Sequence, residues 1–179
     1  SKKESNFHVV DSEHLGLAAL DAVKAIVIAE GYATADTLSQ ALSCPVVAAF
    51  DSGNLLKVAQ VLQNKYPQKP IVIAGDDDLT QESINGKNPG KEKAMEAAQL
   101  VNGAVVLPTF APGEQMLQQL SDFNDLANKS VLGIEAVKRQ VGSVVEKVSQ
   151  QAKQDSLLRL QTPIASKRQE IKQKRALTR

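Results

Sequence analysis

Carboxylates recur at three matched places in the chain, each directly after an apolar run. Glu30-Gly31 follows AIVIA (Ala25–Ala29), Asp51-Ser52-Gly53 follows VVAAF (Val46–Phe50), and Asp76-Asp77-Asp78 follows IVIAG (Ile71–Gly75). After AVVL (Ala104–Leu107) the next acids are Glu114, Asp122 and Asp125. Carboxylates gathered within a few ångströms raise each other's pKa unless a counter-charge is present. A hard divalent cation supplies that charge. Mg²⁺ takes a few carboxylate oxygens from separate loops, together with water and substrate phosphates. In an extended Asp76-Asp77-Asp78 the outer side chains share one side and Asp77 faces the other. Asp76 and Asp78 are therefore the expected ligands, and Asp77 is not. One such turn alone reads equally well as a solvated loop or a helix cap; three at equivalent places favour a metal site. Asp51 keeps two readings, a residue lining the edge of that site or the cap of a helix beginning near Asn54.

Placing these acids together requires particular elements. The runs Ala25–Ala29, Val46–Phe50, Ile71–Ala74 and the shorter Ala104–Leu107 do not alternate with polar residues, as expected of strands buried on both faces. Phe7–Val10 is a further strand candidate at the start. Between the strands lie stretches of helical period: Tyr32–Ser43 with Ala35, Leu38 and Leu42, Asn54–Tyr66 with Leu55, Val58, Val61 and Leu62, and Gly90–Val101 with Ala94, Ala97, Ala98 and Val101. Strand–helix alternation with short connections predicts right-handed crossovers and a small, mainly parallel sheet flanked by helices. In such a sheet ligands collect beyond the carboxyl ends of the strands, which is where the acids fall. Thr109–Leu126 has few periodic apolar positions. From Lys129 to Leu160 one long helical pattern carries Ile134, Val137, Val141, Val144 and Val148 at alternating spacings of three and four. Two heptads are too few to argue a coiled coil, so the expectation is an amphipathic helix laid on the α/β core. The predicted organisation is an α/β domain over residues 1–126 with its core at about 24–126, a helical extension over 127–161, and a basic, disordered tail over 162–179.

Composition agrees with that class. Apolar residues make up 42% of the 179 residues and aromatics only 3%, a balance that suits helices on a parallel sheet better than an aromatic-rich β-sandwich. A net charge of +1 does not mark the whole chain as a polyanion binder. The last segment, however, carries Lys167, Arg168, Lys172, Lys174, Arg175 and Arg179 against one acid, Glu170. It reads as a solvated terminus or as a contact for nucleic-acid phosphates. The single cysteine, Cys44, excludes an internal disulfide and a Cys-based zinc cluster, and next to Pro45 it reads as a small side chain at a strand start. With no secretory signal and no apolar run long enough to cross a membrane, a cytoplasmic protein without membrane partners is expected. The chain opens in Ser1-Lys2-Lys3 without Met, as expected of a piece of something larger.

Glu-Gly directly after a buried strand, followed two strand–helix units later by Asp-x-Asp after another, resembles the TOPRIM motif of primases, topoisomerases and OLD-family and RNA-maturation nucleases. The segments IVIAEGYATADTL (Ile26–Leu38), VVAAFDSGNLLKVAQVL (Val46–Leu62), IVIAGDDD (Ile71–Asp78), NPGKEKAMEAA (Asn88–Ala98) and DFNDL (Asp122–Leu126), in that order, resemble the TOPRIM domains of plasmid and conjugative-transfer DNA primases, over about residues 7–126. The resemblance implies Mg²⁺- or Mn²⁺-dependent nucleotidyl transfer that makes RNA primers from ribonucleoside triphosphates on a single-stranded DNA template. It implies Glu30 as a metal ligand or general acid/base, Asp76 and Asp78 as the metal-carrying pair, and Asp125, with Asp122 beside it, as a later acidic motif contributing to metal binding. Gly31 and Gly75 would let backbone approach the metal or phosphates. Cellular bacterial primases carry a further aspartate four residues after the glutamate. Thr34 stands there in this chain, as in the plasmid type, which leaves the number of metal ions open.

Other groups have competing readings. Lys91 and Lys93, after Asn88-Pro89-Gly90, stand where a helix start presents backbone N–H groups to a phosphate, or are solvated helix lysines. His8 and His14, with Asp11 and Glu13 between them, fall short of a zinc ligand set. Two other classes share the same core. One is a metal-dependent nuclease or topoisomerase, although neither Tyr32 nor Tyr66 sits in a separate element suited to a topoisomerase nucleophile. The other is a non-catalytic DNA-binding or docking module of a transfer or relaxase protein. Since no basic template-binding region or zinc element is evident beside the sheet, the isolated chain is expected to bind Mg²⁺ or Mn²⁺ weakly. It is expected to prime little without the other domains of a larger primase or relaxase.

Overall fold

The computed structural model describes residues 6–11 and 13–176, with side chains as far as residue 160. Five strands, β1 (His8–Val10), β2 (Ile26–Ala29), β3 (Val46–Ala48), β4 (Ile71–Ala74) and β5 (Ala104–Val106), form one sheet in the order β1-β3-β2-β4-β5. All neighbouring pairs are parallel except β1 with β3. The strands are the predicted apolar runs: β4 is the whole run, β1 and β2 each start one residue later, and β3 and β5 end two and one residues earlier, where the chain turns away from the sheet.

Helix α1 (Tyr32–Leu42) links β2 to β3, α2 (Ser52–Lys65) links β3 to β4, and α4 (Pro89–Leu100) links α3 (Leu79–Asn85) to β5. β2 leads to β3 on one side, while β4 and β5 lie on its other side. The chain therefore reverses direction between the paired carboxyl ends of β2 and β4, the place where a doubly wound sheet opens a crevice. Ala29 is in register with Ala74 across that pair, so Glu30 and Asp76 follow adjacent strand ends.

Each strand serves two cores. Val27, Ala29, Val46, Ala48, Val72 and Ala74 face α1, α6 (Phe123–Asn128) and α7 (Gly133–Ala176), where Leu38, Phe123, Leu126, Val137 and Val141 fill the layer. Ile26, Ile28, Val47, Ile71 and Ile73 face α2 and α4, packing against Leu55, Val58, Leu62, Ala94, Ala97 and Ala98. Bulky strand side chains meet small helix ones on the α4 side, and small strand side chains admit bulkier helix ones on the other. Such complementary sizes let both layers approach native packing density.

The valine seam of α7 is used within the chain. Val137 and Val141 are fully buried, and Val144 and Val148 pack at the margin of the same core. A partner helix is therefore not needed to cover them. The helix begins four residues later than the periodicity suggests, because the carbonyl of Asp125 accepts both Lys129 N–H (2.8 Å) and Ser130 N–H (3.2 Å) and closes α6 first. The backbone of α7 continues to Ala176 through the segment expected to be a basic tail. Lys167, Arg168, Lys172, Lys174 and Arg175 lie outside the residues whose side chains are described. Among the described residues no helix is long and apolar enough to cross a membrane.

Candidate functional site

Each acid reaches the carboxyl edge of the sheet on a different support. Glu30 ends β2 half-buried. Burial raises its pKa first, with Asp78 and then Asp51 adding repulsion, while the Ser52 N–H opposes the shift. Asp51 fits both of its readings: its Oδ1 caps α2 by accepting Asn54 N–H at 2.8 Å, and its charge is felt at Glu30. Asp76 follows Gly75 at the end of β4, where an added Cβ would stand 2.5 Å from Ala94 Cβ. Glycine at 75 is thus a packing requirement between β4 and α4.

Asp76 is the electrostatic centre. Its Oδ1 is buried and has no hydrogen-bond partner. Burial, followed by Glu30, Asp122, Asp78 and Asp125, pushes its pKa up to about 7. An orphaned buried carboxylate oxygen costs free energy unless a proton or a cation satisfies it. The surrounding donors are all carboxylates, the chemistry a hard cation prefers. These acids are close enough to repel. Even so, among the described residues no group of three or more His, Cys, Asp or Glu is arranged as a ready ligand set. The burial and negative charge around Asp76 suit a cation.

The turn carrying Asp76–Asp78 is clamped from both sides. Asn88, 3% exposed, accepts Asp78 N–H at 2.9 Å through Oδ1 and donates through Nδ2 to Asp77 Oδ1 (2.7 Å) and Glu82 Oε2 (2.8 Å). Gln115, on α5 (Glu114–Gln118), donates to the Asp77 carbonyl (3.0 Å) and to Asp77 Oδ2 (3.1 Å). Asp77 N–H donates to the Ser121 carbonyl at 2.7 Å. Both oxygens of Asp77 are therefore engaged by the scaffold. Asp78 Oδ2 accepts Gly90 N–H at 2.9 Å. A Cβ at Gly90 would meet Asp76 Cβ at 2.8 Å and the Asp76 carbonyl at 2.9 Å.

This clamp alters the expected phosphate contact at α4. Gly90 N–H is taken by Asp78 and Lys91 N–H by Asn88 Oδ1 (3.2 Å). The helix start is thus occupied by the protein's own side chains. Lys93 pairs with Glu96 at 2.9 Å on the exposed face, leaving Lys91, half-buried, as the lysine nearer the turn. At Gly31, the N-cap of α1, no side-chain hydrogen bond caps the helix and an added Cβ would meet nothing within 4 Å. Open space for a ligand lies there.

The later acids divide their work. Asp125 is held by Lys129 (2.7 Å to Oδ1) and by Ser121 N–H (3.0 Å to Oδ2). Burial works against its charge, but Lys129 and these N–H groups bring its pKa below the ordinary value. Asp122 caps α6 through Asp125 N–H at 2.7 Å and lies beside the buried Thr34 hydroxyl. Burial raises its pKa, and its charge weighs more on Asp76 than that of Asp125. Asp122 thus acts more on Asp76, while Asp125 is paired with Lys129. A readable signal was present, because Asp125 stands four residues before Lys129 on one helix face. Asn before Pro-Gly at a helix start signals a cap at Asn88 but not a clamp on Asp77 and Asp78, and nothing local in the sequence marks Gln115. His8 and His14 are both exposed and belong to no ligand group among the described residues.

A family model described as the Toprim domain matches residues 25–131, more than half of the chain. Two curated relatives from Escherichia coli, each named DNA primase TraC, are similar to it. One is 38% identical over 86% of this chain and 14% of its own length, the other 39% identical over 83% and 19%. The chain therefore spans less than a fifth of the length of these relatives. No solved structure matches it significantly.

Proposed function

The chain belongs to the Toprim-domain family, and from that premise we propose that it is the cation-binding catalytic domain of a plasmid or conjugative-transfer type DNA primase. Glu30, Asp76, Asp78 and Asp122 hold Mg²⁺ or Mn²⁺ in this reading, with Asp125 supporting Asp122 from the same helix. The observation that carries it is the buried, unpartnered Oδ1 of Asp76 among four other carboxylates. When bound, the divalent cation lowers the pKa of a primer 3′-hydroxyl and neutralises triphosphate charge.

The remaining work falls to the chain's own residues. Asp78, with Oδ2 fixed by Gly90 N–H, presents its other oxygen in a set direction. Glu30, whose proton affinity is raised by burial and by Asp78, is suited to exchange a proton with the reacting hydroxyl once a cation has relieved the repulsion. The uncapped first turn of α1 offers N–H groups to a triphosphate, with Gly31 keeping the approach open. Single-stranded DNA and ribonucleoside triphosphates are the substrates in this reading. Further domains of a larger primase or relaxase supply template binding, to which the basic residues Lys167–Arg175 add.

The test is Mn²⁺ binding by the chain, followed by proton relaxation of bulk water, with Asp76→Asn and Glu30→Gln alongside. Wild type is expected to bind, and Asp76→Asn to bind at least tenfold less tightly, a loss of about 1.4 kcal/mol. Equal binding by wild type and Asp76→Asn would contradict the assignment. Ribonucleotide incorporation on single-stranded DNA against Mg²⁺-dependent plasmid cleavage separates the primase reading from a nuclease one, and cleavage lost in Asp76→Asn would replace the former.

A further inference from the structure

The chain has four Phe, two Tyr and no Trp. Phe110 and Phe123 are buried, and Phe7 and Tyr66 are half-covered by the α2 side of the core. Only Tyr32 (51% exposed) and Phe50 (53% exposed) stand out into solvent, and both lie at the carboxyl edge of the sheet next to Glu30. Tyr32 is two residues past Glu30, at the first position of α1. Phe50 directly precedes Asp51, from the end of β3, the strand adjoining β2.

Phe50 has no evident reason of stability to be what it is. Its φ is +71°, a left-handed conformation that a bulky residue adopts only at a cost of about 1–3 kcal/mol. Its ring gains little burial in return. Glycine would relieve the strain and Asn would reduce it. An exposed aromatic side chain held in a costly backbone conformation is better explained by what it meets than by what it stabilises. Tyr32 leans the same way: its ring centroid is 5.9 Å from that of His8, and His8 is the register partner of Ala48, two residues before Phe50. Rings from α1 and β1 are thus drawn to the end of β3, the edge from which Phe50 projects.

We propose that Phe50 and Tyr32 form a stacking platform for a nucleobase whose phosphates are directed at the Glu30–Asp76 centre. The inference rests on the cation-binding reading above and names the ligand class of that site. Every base has a π-face, so aromatic rims bind nucleotides with little sequence preference, at about 1–3 kcal/mol per stacked base. The carboxylates would repel a bare phosphate, whereas the neutral faces of Phe50 and Tyr32 accept the uncharged part of the same ligand.

The test uses the full chain with Mn²⁺, measuring affinity for ATP, for a labelled oligothymidylate and for the same oligonucleotide with abasic sites. Phe50→Gly is expected to leave the protein as stable or more so, since the strain is removed. It should weaken binding of the base-bearing ligands about tenfold, while Phe50→Trp retains affinity and Phe50→Leu does not. Weakening for ATP alone assigns the platform to the incoming nucleotide, and weakening for the oligonucleotide alone assigns it to the single strand. Phe50→Gly and Tyr32→Ala both binding ATP and the oligonucleotide like wild type, equal binding of the abasic oligonucleotide together with unweakened ATP binding by Phe50→Gly, or no binding of either ligand by wild type would each overturn the proposal. Mn²⁺ affinity in the same samples separates the two readings, because Phe50→Gly leaves it unchanged, whereas failure of wild type to bind Mn²⁺ removes the site itself.

Discussion

Asp76 holds its proton to about pH 7 in the folded chain, while an ordinary aspartate releases it near 3.8. Between those values the folded state binds more protons than the unfolded one. Stability from this group therefore falls as pH rises across the window. At about 1.4 kcal/mol per pKa unit the cost is on the order of a few kcal/mol, less whatever solvent and coupling to Glu30 screen. Thermal melts of cation-free protein should show Tm decreasing from pH 4 to pH 7, with Asp76→Asn flattening that decrease and melting higher than wild type at pH 8. Identical profiles would mean that Asp76 is not strained by its neighbours. Mg²⁺ affinity should rise over the same range, as cation and proton compete for one carboxylate. That Glu30 and Asp76 stand just beyond strand ends was legible in the sequence, because the ends of apolar runs are local properties. That Asp122 would lie beside Thr34 was not, since α1 and the start of α6 are far apart in the chain, whereas the pairing of Asp125 with Lys129, four residues on, was.

The turn after β4 is built by its neighbours more than by its own residues. Asn88 holds α3, α4, the Asp77 carboxylate and the Asp78 backbone N–H with one amide group. Asn88→Ala should therefore lower Mn²⁺ affinity about tenfold or more, the usual effect of removing a group that orients metal ligands. An unchanged affinity would show that the turn holds its shape without the clamp. Two glycines make a contrasting pair. Gly90→Ala forces a Cβ against the Asp76 backbone and should destabilise by about 1–3 kcal/mol. Gly31→Ala meets open space and should cost no more than about 1 kcal/mol as a changed N-cap. Chemical denaturation of the two variants distinguishes these outcomes, and equal costs would contradict the packing argument. Helices α3, α5 and α6 escaped the sequence reading because five to seven residues hold too little period to register. The α4 start was legible as a helix start, but not as one already filled by Asp78 and Asn88.

Across the whole molecule, the apolar runs identified strands buried on both faces, yet could not say which residue serves which face. That division decides where α6 and α7 pack and hence where Asp122 stands. Leu126 is fully buried beneath α6 in the same core as Leu38 and Val137. Leu126→Ala should cost about 2–5 kcal/mol and also weaken Mn²⁺ binding, because the helix that carries Asp122 loses its anchor. Loss of stability with full cation affinity would place Asp122 outside the site. The valine seam of α7 was legible as an amphipathic face, and its covering by β4, β5 and α1 follows from the small Val and Ala side chains that the strands present there.

The central claim is that acids from β2, β4 and α6 form one cation site. It is tested most directly by titrating ¹⁵N-labelled chain with Mg²⁺ and following backbone amides. Concerted shifts with a common midpoint at Glu30, Asp76, Asp78 and Asp122, abolished together by Asp76→Asn, are the predicted result. Shifts confined to Asp76–Asp78, with Glu30 and Asp122 unmoved, would reduce the site to an acidic turn and contradict the account.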